Sequence, residues 1–142
     1  MKKHIVLMIL FEAFGEIVYA QQEAPIKFGY QYVNKKDADN VQLKLENVST
    51  EKIFYYVIGV QGLTDTGYVG LVADINSLGK NDFLALKPLH PKSSATKSVS
   101  KRRIYYLYNK KNIKKLRFEV TYYEKRDLDS KSQIIFLPPC SL

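Results

Sequence analysis

Cysteine is almost missing from this chain: Cys140 is the only one. That excludes an intrachain disulfide and leaves either pairing between chains or an inert thiol near the end. An exported chain without disulfides suits a bacterial envelope better than a eukaryotic extracellular space. Tryptophan is absent, so the Cys and Trp hallmarks of antibody domains are absent too. Histidine is scarce, with His4 and His90 alone. A zinc site needs about four His, Cys or carboxylate ligands, and so few His and Cys argue against one. A Ser-His-Asp arrangement would have to use His90, and no G-x-S-x-G elbow accompanies it. No glycine-rich loop that cradles phosphate is present. No pair of carboxylates stands out for glycoside hydrolysis, and these gaps together argue against an enzyme.

The most telling gap is one of charge. From Phe83 to Phe118 there is no Asp or Glu. The same stretch carries Lys87, Lys92, Lys97, Lys101, Arg102, Arg103, Lys110, Lys111, Lys114, Lys115 and Arg117. The whole chain has a formal charge of +8. Such an excess attracts acidic partners and says nothing about fold.

The N-terminus has the pattern of a secretory signal. Lys2 and Lys3 precede the apolar run Ile5 to Phe11, and Val18-Tyr19-Ala20 offers a cleavage point before Gln21. Glu12 and Glu16 are unusual in such a leader. They also interrupt any stretch of about 20 apolar residues, the length a spanning helix needs. Lys2, Lys3, Glu12 and Glu16 cancel, so the remainder keeps the full positive charge. The expected organisation is a signal peptide over 1–20, a flexible lead-in over 21–25 and one domain over 26–142. The expected location is the periplasm or the extracellular space.

Period-two burial governs that domain. Val41 to Glu46 and Ile113 to Glu124 alternate apolar and polar, as half-buried strands do. Lys52 to Val60 is apolar at nearly every position, which predicts a central strand covered on both faces. Further strands are expected at Ile26 to Val33, Tyr68 to Ile75, Phe83 to Leu86, Ser93 to Ser100, Ile104 to Tyr108 and Gln133 to Leu137. Pro88 and Pro91 break the pattern, and Asn34 to Asn40 and Asn76 to Asp82 read as loops. The fold class is all-β. An immunoglobulin-like antiparallel sandwich of about seven or eight short strands is the leading architecture, on strand number and spacing alone. A helix over Ser100 to Lys111 would bring Ile104, Leu107 and Tyr108 to one face. Its tyrosines, and its lack of Ala and Glu, weigh against it.

A hairpin of Ile104 to Tyr108 with Ile113 to Arg117 would place Tyr106 and Tyr108 beside Lys115 and Arg117 on one outward face. Lys110 and Lys111 would form its tip, with Lys101, Arg102 and Arg103 at the far end and Lys114 beside it. Those ten residues are the candidate binding site, because aromatic rings among cations suit an acidic polymer. No catalytic residue, metal ligand or cofactor is expected. The expected function is an exported, non-catalytic binding or accessory module of a bacterial envelope. Its partner would be an acidic glycan, an anionic lipid surface or an acidic protein. Two alternatives remain. One is an intracellular nucleic-acid-binding protein, which requires the leader to be retained. The other is a small inhibitor or immunity-type protein that caps one partner. The basic run also has a plainer explanation as a solvated, solubilising surface. Asn47-Val48-Ser49 matches a glycosylation sequon, a triplet common by chance.

The mass of the protein recovered from its native source distinguishes these cases. Export predicts a chain beginning near Gln21. The full-length mass, with the protein in the cytosol, would favour nucleic acid as the partner.

Overall fold

The computed structural model of the chain describes residues 17–20, 25–34, 37–77, 85–108 and 112–141, with only the backbone at 37 and 38. Two antiparallel sheets dominate. One has the order β1-β2-β3-β7, from Val18–Tyr19, Ile26–Asn34, Asp37–Asn47 and Ser94–Ser100. The other has the order β10-β8-β4-β5, from Cys140–Ser141, Lys115–Tyr123, Phe54–Thr64 and Gly67–Val72. Short strands β6 (Lys87–Leu89) and β9 (Ser132–Phe136) pair on β4 and β8. A single helix, α1 (Lys101–Tyr108), and a 3₁₀ turn (Ile75–Ser77) complete the described elements. No helix among the described residues is long and apolar enough to cross a membrane.

The alternation seen in the sequence builds the core. On β8, Leu116, Phe118, Val120 and Tyr122 are buried, whereas Lys115, Arg117, Glu119 and Thr121 point away. On β3, Val41, Leu43 and Leu45 do the same. These residues join Phe28, Phe54, Ile58 and Val60 in one cluster lined by both sheets. Burying each such side chain contributes about 1.5–3 kcal/mol relative to leaving it in water. β4 is covered on both faces as expected. Val57 packs on the outer side with Leu86, Tyr123 and Tyr55 in a second, smaller cluster.

Three local expectations need correction. The loop read over Asn34 to Asn40 is already strand from Asp37. The strand expected at Phe83 to Leu86 lies instead at Lys87–Leu89, and 83–84 fall outside the described residues. Pro88 is tolerated there because β6 is an edge strand, pairing only with β4 through Tyr55. The largest correction concerns Ile104 to Tyr108, which is helix and not strand. β8 therefore does not pair with it. Lys115 stands opposite Leu63 and Arg117 opposite Gln61, both on β4.

The helix has clear physical causes. Ser100 is its N-cap, with Oγ accepting the amide of Arg103 at 3.1 Å. Asp39, across the sheet on β3, adds a second cap: Oδ1 accepts the amide of Arg102 at 2.6 Å. Its Oδ2 accepts the Ser100 hydroxyl at 3.0 Å. Three cations in the first turn oppose the helix dipole, and the Asp39 carboxylate offsets them. Ile104 and Lys101 are buried, and Tyr108 packs partly against the core, so helical spacing defines the inner face.

At the opposite end of β3, Asn47 is fully buried. Its amide donates to the carbonyls of Lys52 at 2.8 Å and Leu89 at 3.0 Å. Its oxygen accepts the Ser49 amide and hydroxyl at 3.0 and 2.7 Å. The sequon is thus a clamp between the sheets, with its nitrogen unavailable to a glycan in the folded protein. Val18–Tyr19 lies inside the segment expected to be a leader, yet it pairs with Tyr30 and Gly29 of β2. A Cβ on Gly29 would come within 2.7 Å of the Tyr19 ring, so glycine is what admits that ring.

Replacing Asp39 by Ala removes a cap that three cations depend on. We expect a loss of about 1–2 kcal/mol in urea unfolding. Amide exchange at Arg102 and Arg103 should accelerate more than exchange on β8. Unchanged exchange at both amides would mean that α1 is held by burial alone.

Candidate binding surface

The first turn of α1 is anchored from within. Lys101 is only 4% exposed. Its Nζ donates to the carbonyl of Ser141 at 2.6 Å and lies 5.1 Å from the centre of the Tyr32 ring. A buried ammonium needs such partners, because desolvation alone costs several kcal/mol. Lys101 therefore joins α1 to β10 and is not itself a surface contact. Cys140 beside it is buried, with Sγ 3.6 Å from the carbonyl of Leu116. Burial pushes its thiol upward, only partly countered by Lys101. This is an inert thiol held in a strand. Burial also raises the Tyr30 hydroxyl to about 12, with a smaller contribution from Cys140.

With Lys101, Ile104 and Tyr108 turned inward, the remaining α1 side chains face water. Tyr106 is 77% exposed, and Arg102, Arg103, Tyr105 and Leu107 are exposed beside it. The start of β8 lies at the same end of the molecule, since Lys115 stands opposite Ser141, which Lys101 holds. Lys115 is exposed. Lys114 is exposed too, but its Nζ meets Asp65 at 2.5 Å in the β4–β5 turn. Asn112 donates to the same carboxylate at 3.1 Å. Lys114, first through its hydrogen bond and then its charge, holds the Asp65 carboxyl below the usual range. Lys110 and Lys111 lie outside the described residues.

Arg117 is elsewhere, on the outer face of the second sheet. Its guanidinium carbon lies 3.7 Å from the Tyr68 ring centre and 4.2 Å from that of Phe136. Nε also donates to Gln61 Oε1 at 3.0 Å. A cation held between two rings is oriented, and such contacts contribute about 0.5–2 kcal/mol. Ile134 and Phe136 stay exposed alongside it. The expected face thus divides into a basic, aromatic helix at one end and an Arg117 ladder on the sheet.

The hairpin expected over Ile104 to Tyr108 turned Tyr106 and Tyr108 outward and so left Tyr105 and Leu107 out of the candidate site, whereas the helix exposes both. Ser100 before a cationic run was a readable cap, whereas Asp39 as its partner was not, because only folding brings them together. Tyr68, Gln61 and Phe136 likewise come together only through the pairing of four strands. His90 is exposed in a loop, its carbonyl accepting the Ser93 amide and hydroxyl. Asp127 accepts the Asp129 amide at 3.0 Å within its turn. Among the described residues no three His, Cys, Asp or Glu side chains gather as metal ligands would. No family model, curated protein or solved structure matches the chain.

Glu119 carries a pH dependence. Desolvation raises its carboxyl, opposed by a smaller effect of Arg117. Its Oε1 lies over Gly59, 3.0 Å from where a Cβ would stand, with the carbonyl oxygens of Val72 and Ala73 around the same point. Those carbonyls cannot donate to a carboxylate. A raised pKa means that the folded state binds the proton more tightly, so this contribution to stability is lost as pH rises through the folded value. Glu119→Gln should raise the urea midpoint at neutral pH. The gain should vanish on acidification to the ordinary carboxylate range. A gain independent of pH would assign the effect to packing.

Proposed function

We propose that this chain is an exported, non-catalytic binding module of the immunoglobulin-like sandwich type, and that it engages an acidic glycan through the end of the molecule crowned by α1. Strand exchange supports the sandwich. Lettered in chain order, with β2 as A, β3 as B, β4 as C, β5 as C′, β7 as E, β8 as F and β9 with β10 as G, one sheet reads A-B-E. The other reads G-F-C-C′. The chain changes sheet between B and C, again before E, and once more before F, the Greek-key exchange of such sandwiches. Lys2, Lys3 and the apolar run after them support export. Cleavage before Gln21 would remove β1 and leave the remaining strand order intact.

One observation carries the binding role: Arg102, Arg103, Tyr105 and Tyr106 stand exposed on a helix held by two caps and a buried lysine. Tyrosine offers an apolar ring with a polar tip, which suits a contact surface beside cations. A sugar ring can stack on tyrosine while its carboxylate or sulfate meets arginine. Preorganisation lowers the ordering cost of that contact.

A second reading has its own observation. The Arg117 guanidinium lies between Tyr68 and Phe136, with exposed Ile134 beside them. Tyr and Arg are enriched at the energetic centres of protein interfaces. A single protein partner capped through this face corresponds to the inhibitor or immunity-type alternative.

Arg102→Glu with Arg103→Glu separates the two. Glutamates in a first helical turn gain from the helix dipole but lose the attraction to Asp39, so the urea midpoint of the variant is measured alongside its binding. Binding to a uronic-acid polysaccharide should fall by at least about tenfold, or ~1.4 kcal/mol. Affinity of the parent should drop steeply with added salt. Tyr106→Ala should weaken binding without changing the salt slope. If the double variant binds as the parent does, α1 is not the contact surface.

A further inference from the structure

We propose that the open side between the two sheets, floored by Tyr56 and flanked by Lys87 and Lys97, binds a small organic oxyanion, a carboxylate or phosphate borne on a short apolar frame. This goes beyond the polymer contact proposed for α1 and uses none of its residues.

The register places both lysines on the inner side. Lys97 stands opposite Leu43 on β3, and Leu43 is a core residue. Lys97 thus shares the core side of its sheet with Ala95 and Val99. Lys87 stands opposite Tyr56 on β4 and shares the inward side of the other sheet. β7 and β6 are both outer strands, so both lysines border the gap between the sheets. The gap there is a cleft of about 170 Å³, lined also by Ile58, Ile75 and Asn76. That is well below the usual size of a drug-like site.

Three polar groups line the cleft, with both lysines exposed at its mouth. Among the described residues, neither lysine has an ion pair or hydrogen bond, and neither does the Tyr56 hydroxyl. Tyr56 is only 8% exposed and lines the cleft, with its hydroxyl reaching the open side. Burial, with a smaller effect of Asp74, raises that hydroxyl above its ordinary value and keeps it protonated. Asp74, the described acid that acts on Tyr56, is committed elsewhere. Asp74 Oδ1 accepts the amide and side chain of Asn76 at 2.9 and 3.2 Å, and Oδ2 faces the Ala85 amide at 3.5 Å. A single inward lysine on an edge strand is explained by its discouraging strand addition. Two of them bordering one mouth give it a positive potential that favours an oxyanion. Ile58 and Ile75 supply the apolar wall for the rest of such a ligand.

The test is a titration of the full chain, labelled with ¹³C at lysine Cε and tyrosine ring carbons, with benzoate, phenyl phosphate and inorganic phosphate. Saturable shifts at Lys87, Lys97 and Tyr56 together are expected with benzoate, phenyl phosphate or both. Which of the two binds more tightly assigns the headgroup. Lys87→Gln with Lys97→Gln should weaken binding by at least about tenfold, or ~1.4 kcal/mol. Tyr56→Phe should weaken it less. Arg102→Glu with Arg103→Glu should leave it unchanged, which separates this site from the α1 surface. Equal, unsaturated shifts at all lysines, saturation by inorganic phosphate alone, or undiminished binding in the lysine variant would overturn the proposal.

Discussion

The carboxylate of Asp39 decides where this chain stops being a sheet. β7 runs antiparallel to β3 as far as the pair Asn40 and Ser100. One residue further, a strand would carry Lys101, Arg102 and Arg103 along the edge of the first sheet. Asp39 instead takes the Arg102 amide and the Ser100 hydroxyl. It thereby satisfies groups that only a helix start presents. The turn this imposes sends Ile104 into the core and Lys101 beneath the end of β10. Everything proposed for the basic surface follows from that change of direction, since the same residues in a strand would expose a different set.

Both ends of β3 act as fasteners. Asn47 joins β3 to the Lys52 carbonyl before β4 and to Leu89 of β6, and so ties the two sheets at one end. Asp39, through α1 and Lys101, ties them at the other by way of Ser141. Between these polar clamps the core is apolar and follows period two. Placing the polar groups at the ends keeps desolvated charge out of the middle, where an unpaired group costs most. It also leaves the long lateral openings free of clamps, and the Lys87 and Lys97 cleft occupies one of these.

The sheets were legible because burial on a strand repeats every two residues and needs no knowledge of the partner. Leu116, Phe118, Val120 and Tyr122 would face one way whichever strand lay beside them. The doubly covered β4 was legible from its composition. The partner of β8 was not, because Ile104 to Tyr108 is short, aromatic and equally compatible with either period. Its helical state rests on a carboxylate 63 residues before Arg102, a tertiary override of weak local propensity. The charge gap from Phe83 to Phe118 was visible as composition. Its division into an anchor (Lys101), an exposed ridge (Arg102, Arg103), a stacked arginine (Arg117) and two cleft lysines depends on burial and register, which composition does not carry.

The central claim is that α1 presents its exposed arginines and tyrosines, held rigid from beneath, to an acidic polymer. The most direct test is an amide-resolved footprint of a uronic-acid polysaccharide on the intact protein, read by chemical-shift change and by hydrogen exchange. The account predicts perturbation concentrated at Arg102, Arg103, Tyr105, Tyr106, Leu107 and Lys115, with the outer faces of β2 and β3 silent. A footprint on those outer faces, or one spread evenly over every lysine and arginine, would contradict it.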